Sequence, residues 1–261
     1  MENKFGRVSK VILETEYRGG RTILSDVYFT APFKVMQPFY TEQDVMQVMV
    51  LSASAGIMEG DVQDFFLHIK EGTRMEYLSQ AYEKIHKMKE GKAVRKTRIV
   101  VEKNAYLKYA PLPTIPFKDS AFENHLEVEL ADGSSRFLFQ EILSCGRAAC
   151  QEAFAYRMYH NQVCIRKDGR LIYRDNTRYE PALFEMAGMG MYEGYTHLAN
   201  LVFFNIEKTD GWIGEVRKLL DETQGLEGGV TRTASGDAAV RILGRGSEPL
   251  LKVLEKIQAC S

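Results

Sequence analysis

The chain is poor in several signatures that would point to an activity. It has 261 residues but only four cysteines, at 145, 150, 164 and 260, with no CxxC pair among them. That excludes a disulfide framework and a local zinc knuckle, and it favours reduced thiols. The five histidines, at 68, 86, 125, 160 and 197, form no HxxxH or HExxH, so a metalloprotease-like zinc site has no local basis. No GxSxG is present, which removes the nucleophile elbow of a hydrolase. No apolar run approaches the roughly 20 residues of a membrane span. The first residues, MENKFGRVSKVILETEYRGG, alternate apolar and charged positions, so no secretory leader is expected. Neither charge sign is in excess: 34 basic against 35 acidic residues leave a net charge of −1, and no general attraction to nucleic acid or anionic membrane follows. A cytoplasmic location is the expectation.

What the chain does have is alternation. VILETEY at 11–17, RIVVE at 98–102 and HLEVEL at 125–130 place apolar side chains at every second position, the period of strands with one face in a core. Turn signals separate such runs at Gly19-Gly20, Glu71-Gly72, Asp132-Gly133 and Asp168-Gly169. RMEYL, AYLKYA, SSRFLF and RLIYR each follow a turn, and each carries a bulky residue: Tyr77, Tyr109, Phe139 and Tyr173. The spacing drifts around 30 residues. On pattern alone, stacked strand layers and an antiparallel sandwich fit this equally. The last stretch changes character. GWIGEVRKLL reads as a helix with Ile213, Val216, Leu219 and Leu220 on one stripe, stopped by Gly225. Two strands around Ser235-Gly236-Asp237 come next, then a second helix from Glu248-Pro249 with Leu250, Leu251, Leu254 and Ile257 facing inward. The expectation is a mainly β fold in one unit spanning 1–261. Its β-rich body covers about 1–205, and a dependent α+β portion with two helices covers about 206–261.

Three features invite chemistry. SAGIMEGD, at 54–61, resembles a phosphate loop at first sight. Its two glycines are too close for GxxxxGK[ST], Asp61-Val62 stand where Lys-Ser/Thr would be, and a strand follows where a helix is required. It reads as a turn between strands that fixes Asp61 in a glycine-framed position. Cys145 and Cys150 read as small core residues rather than ligands. Glu141, inside RFLFQEILSCG, and Glu152, just past Arg147, are carboxylates in apolar strands that need a partner, a cavity or water. Spacing leaves three uses open: paired acids for glycoside cleavage on a β-helix, oxygen ligands for a cation, or an ion pair with Arg147.

Taken in order, GRTILSDVYFTAPFKVMQPFY, SASAGIMEGDVQD, LSQAYEKIHKM, PLPTIPFKDSAFE, FQEILSCGRAACQEAF, RKDGRLIYRDNT, GYTHLANLVFF and GLEGGVTRTASGDAAVRILGRGSEPLL resemble the urease accessory protein UreD family, called UreH in some bacteria. The likeness runs over nearly the whole chain. One departure is Glu59-Gly60-Asp61, where many members have Gly-Gly-Asp. The resemblance implies a stacked β-helical body and a scaffold rather than an enzyme. It implies a role in inserting nickel into apo-urease within a hetero-oligomer, through UreF and the GTPase UreG, with dimerisation through UreF. It implies no tightly bound cofactor and nickel(II) in transit through an internal tunnel, with Asp61, Glu141 and Glu152 as candidate path residues. Gly60, Gln80, Lys84 and Arg147 fall in matching motifs, with structural or partner-facing roles implied.

Overall fold

The computed structural model describes residues 8–206 and 208–260. The chain opens with an antiparallel hairpin, β1 (Ser9–Arg18) and β2 (Arg21–Phe29), turned at Gly19-Gly20. Short strands β3 (Phe33–Val35) and β4 (Phe39–Tyr40) lead to β5 (Met46–Ser52). The chain then winds through three similar coils. The first holds β6 (Val62–Ile69), β7 (Arg74–Gln80) and β8 (Glu83–Ile85), and the second β9 (Ala93–Val101), β10 (Tyr106–Ala110) and β11 (Thr114–Pro116). The third holds β12 (Ala121–Leu130), β13 (Arg136–Ser144) and β14 (Gly146–Arg147). After β15 (Glu152–Ala153) come β16 (Met158–Lys167), β17 (Arg170–Tyr179) and β18 (His197–Phe204). The last elements are α1 (Asp210–Glu222), β19 (Leu226–Arg232), β20 (Ala238–Gly244) and α2 (Ser247–Ala259).

Successive coils stack in register, and this makes the fold mainly β. One sheet runs β17-β16-β12-β9-β6-β1-β2, parallel from β16 to β1 with an antiparallel strand at each edge. The facing sheet runs β19-β20-β18-β13-β10-β7-β5-β3, parallel from β13 to β5. Alternation does the sorting. In β9 the inward set is Ala93, Arg95, Thr97, Ile99 and Val101, while Val94, Lys96 and Arg98 face out. Opposite charges stand at facing outward positions, Lys96 opposite Asp64 and Arg98 opposite Glu127, an arrangement that favours this register over a one-residue slip.

The bulky-residue repeat is real for three rungs. Tyr77, Tyr109 and Phe139 lie side by side on β7, β10 and β13, and the two tyrosine rings are 4.8 Å apart. The fourth member departs: Tyr173 lies on β17, antiparallel to β16 in the other sheet. RLIYR keeps the turn-plus-strand pattern because a tight hairpin at Asp168-Gly169 needs the same residues as a coil corner.

The SAGIMEGD turn belongs to a third, narrow ladder at the coil corners. Ile57 bridges Ile85 in parallel, and Ile85 lies opposite Pro116. Gly56, with φ +148°, and Gly146, with φ +121°, sit where neighbouring backbone comes close. A Cβ on Gly56 would collide with the Lys84 carbonyl, and one on Gly146 would lie 2.9 Å from the Pro116 carbonyl. Both positions therefore require glycine for space as well as for backbone angle.

Helix α1 starts at Thr209, whose side chain accepts from the Trp212 N–H. Both helices pack on the outer face of β13, β18, β19 and β20, around Trp212, Val216, Leu250 and Leu254. The buried stripe of α2 is Leu250, Val253, Leu254 and Ile257. Val253 takes the core position expected of Leu251, which packs at the rim, because positions 250, 253, 254 and 257 complete an i, i+3, i+4, i+7 stripe. No helix among the described residues is long and apolar enough to cross a membrane.

Candidate functional site

The core between the two sheets is not continuously apolar. One cluster, around Leu67, Ile99, Val128, Leu107 and Phe137, fills one end. A second, around Ile57, Ile85, Phe122, Leu143 and Tyr159, fills the other. Between them runs a polar layer built by register. Gln63, Arg95, Asn124, Asn161 and Thr177 occupy the same level on β6, β9, β12, β16 and β17. Each lies in phase with the inward apolar residues of its strand, as Asn124 does with Phe122 and Leu126. On the facing sheet, Glu141, Asn200 and Arg241 lie opposite one another on β13, β18 and β20.

These groups are joined by hydrogen bonds. Glu141 Oε1 accepts from Asn200 Nδ2 at 2.7 Å, and Oε2 accepts from Asn161 Nδ2 at 2.9 Å. Asn124 Nδ2 donates to Asn161 Oδ1 at 2.8 Å. Arg241 donates from Nε to Asn200 Oδ1 at 2.8 Å and from Nη2 to Asp175 Oδ2 at 2.6 Å. At the other end, Arg95 Nε donates to Gln63 Oε1 at 2.9 Å, and its two Nη groups clasp the Glu83 carboxylate. A fork of this kind is the strong form of a guanidinium–carboxylate contact.

Glu83, Arg95, Thr97, Tyr109, Asn124 and Glu141 help line a small cavity of about 30 Å³, room for a water or two. Thr97 Oγ1, beside the Tyr109 hydroxyl, is buried without a well-formed hydrogen bond. The layer carries two cations, Arg95 and Arg241, against three carboxylates, Glu83, Asp175 and Glu141, so it is net negative when all are ionised. Arg95 is clasped by Glu83 and Arg241 by Asp175. Glu141 is held by amides alone. Burial pushes its carboxyl up to about 7. The Asn200 and Asn161 amides and Arg241 pull it back, and Asp175 adds to the rise.

That value has a consequence for stability. Below its ordinary value near 4.5, Glu141 is protonated in both folded and unfolded chains and costs nothing. As pH rises from about 4.5 to about 7, the unfolded chain loses the proton first, and the folded state loses up to about 3 kcal/mol. Glu141→Gln, whose amide oxygen keeps the contact to Asn200, is expected to remove that slope. Urea titrations across this window, in metal-free buffer, check it. Parallel pH profiles for wild type and variant would contradict it.

The other expected site residues lie elsewhere. Asp61 serves its own turn: its Oδ2 accepts the Met58 N–H at 2.7 Å, and its carbonyl accepts from Val94 N–H. Gly60, with φ +84°, donates to the Lys92 carbonyl. Glu59 receives the backbone N–H groups of Lys89, Glu90 and Gly91, which hold its carboxyl below the usual range. Thus the acid that departs from the Gly-Gly-Asp pattern fastens one coil to the next. Glu152 forms a two-toothed pair with Arg147, at 2.8 and 2.6 Å, in the small β14–β15 hairpin. The Arg147 side chain is 42% exposed and packs over the Phe117 ring. The pair is a surface clamp, not a buried one, because Glu152 begins a two-residue strand outside the sheets. Cys145 is buried as expected, whereas Cys150 is exposed on the same excursion. Gln80 and Lys84 are both exposed and border a cleft of about 90 Å³ that also touches Gly56, Gln63 and Glu83. Among the described residues, no three His, Cys, Asp or Glu side chains form a metal-holding group.

Comparison with known proteins identifies the family. A family model described as UreD urease accessory protein matches residues 8–261. The chain belongs to the UreD family of urease accessory proteins. The urease accessory protein UreH of Helicobacter pylori (strain HPAG1) is 40% identical over 256 residues, covering 98% of this chain and 95% of that protein. The urease accessory protein UreD of Acetivibrio thermocellus is 39% identical over 259 residues, with 99% and 98% covered. That of Flavobacterium johnsoniae is 28% identical over 254 residues, covering 96% and 91%.

Proposed function

We propose that this UreD-family chain is a non-catalytic scaffold in the complex that loads nickel into apo-urease in the cytoplasm. On this reading it links apo-urease to UreF- and UreG-like partners, and its polar layer is the path along which nickel(II) passes. The observation that carries the reading is Glu141, a carboxylate without a paired cation, beside a partly polar cavity within the core. Nickel is cargo here, so the site must hold it briefly. Carboxylate, amide and hydroxyl oxygens with water bind a borderline cation more weakly than a closed Cys/His cage. The layer points outward on both sides. Glu83 is shared with the cleft at Gln80 and Lys84, and Arg241 reaches a second cleft that includes Tyr179 and Glu227. A sugar ring does not fit the 30 Å³ between Glu83 and Glu141, and this disfavours the glycoside-cleaving alternative.

The test is co-expression of urease subunits and the other accessory proteins with and without this chain. Active, nickel-loaded urease is expected only with it. Equal activation without it would defeat the reading. A second expectation concerns nucleotide. The purified chain alone should neither bind GTP tightly nor hydrolyse it, since the SAGIMEGD loop is committed to the coil corner and carries no phosphate-facing lysine. Turnover that persists through further purification would overturn this.

A further inference from the structure

Away from the core, three basic side chains gather with no ion-pair partner among the described residues. On the outer face of the β7-β10-β13 sheet, Arg74, Tyr106 and Arg136 stand side by side at one register level. Their neighbours Met75, Leu107 and Phe137 point into the core, so alternation turns this row outward. Strands about 4.8 Å apart put the two arginine backbones about 10 Å apart, with the tyrosine between them. Both guanidinium groups can therefore reach a single guest above the ring. Helix α2 packs on β13, β18 and β20, and a notch opens at its edge beside β10 and β7. Arg74, Arg136 and Lys208 supply its charge, Leu138 and Phe203 its floor, in a pocket of about 190 Å³.

These charges lack ion-pair partners among the described residues. The Arg74 side chain donates to the Gln43 carbonyl and the Lys208 side chain to the Cys260 carbonyl. Lys208 is held in place over the Phe203 and Trp212 rings, at 5.0 and 4.8 Å. Elsewhere the chain pairs its cations readily, as in Arg147–Glu152, Arg232–Asp210 and Arg241–Asp175. Three like charges left facing one pocket raise the potential there and favour an anionic guest.

We propose that this notch is a docking site for an acidic segment of a protein partner, one carboxylate of which lies between Arg74 and Arg136 over Tyr106. The pocket has the volume of a side chain rather than of a nucleotide or a cofactor. It is formed by arginine forks, which suit a planar carboxylate. Its apolar floor at Leu138 and Phe203 suits an aliphatic neighbour of that acid. No glycine nest or helix N-terminus lines it, as a phosphate cradle would require. The proposal is independent of the nickel path, since none of these residues belongs to the polar layer.

The experiment uses the full chain and a short capped peptide of Asp, Glu and Leu, with its Asn/Gln counterpart and inorganic phosphate as the other probes. Titration calorimetry at low and moderate salt reads the affinity. The acidic peptide is expected to bind and to weaken with salt. Arg136→Gln and Arg74→Gln, both at exposed positions, are each expected to weaken it about tenfold. Arg217→Gln on the exposed face of α1 should leave it unchanged. Equal binding of the amide peptide, no effect of the two arginine variants, phosphate binding as tight as the peptide, or no peptide binding at all would each overturn the proposal.

Discussion

Glu83→Gln is expected to destabilise the folded chain by about 3–5 kcal/mol, because it strands a buried guanidinium. The Arg95 side chain is 6% exposed and that of Glu83 23%. Gln63 Oε1 and the Phe65 and Phe122 rings complete the surroundings of Arg95, and none of them supplies a negative charge. A double variant, Arg95→Met with Glu83→Leu, should recover most of the loss, since an apolar pair of similar volume needs no counter-charge. Urea unfolding of the two singles and the double closes the cycle. A Glu83→Gln loss below about 1 kcal/mol would mean that water in the polar layer solvates Arg95, and the layer would then be wetter than its hydrogen bonds imply.

The second large effect is on function. Glu141→Ala should lower urease activation about tenfold or more in cells that carry all other components, in line with the loss of a metal-contacting or supporting group. Pull-down of the UreF- and UreG-like partners should be unchanged, because Glu141 lies between the sheets and touches no outer surface of β13. Asp61→Ala provides the contrast. It removes a turn-capping carboxylate, costs about 1 kcal/mol, and should leave activation near wild type. Full activation by the Glu141 variant, or loss of partner binding with it, would assign Glu141 to structure rather than to passage.

The fold was legible to the extent that alternation and turns dictate it. The parity of β9 and β12, the hairpin at Gly19-Gly20 and both C-terminal helices follow from residue spacing. The third ladder was not legible. Its rungs are two or three residues long, too short for a period to show, and Ile57 joins it through a single bridge. At the site, Glu141 stood out as an acid in an apolar run, but its companions did not. Gln63, Arg95, Asn124 and Asn161 each replace one inward apolar residue in an otherwise regular strand. Singly, such a residue looks like noise in a pattern. Aligned at one register they form a layer, and strand register is a long-range property that local spacing does not contain. Glu152 misled for the converse reason: apolar neighbours in sequence made it look buried, although the chain leaves the sheets at Gly146.

Nickel bound per urease active site, measured by elemental analysis after activation with a defined nickel supply, tests the passage of metal through the polar layer most directly. The comparison is between wild type and Glu141→Gln, which keeps the shape of the side chain and its contact to Asn200 while removing the charge. The complex is expected to stay intact with both proteins, and nickel content to be about tenfold lower with the variant at early times. Equal nickel loading at equal rates would contradict it.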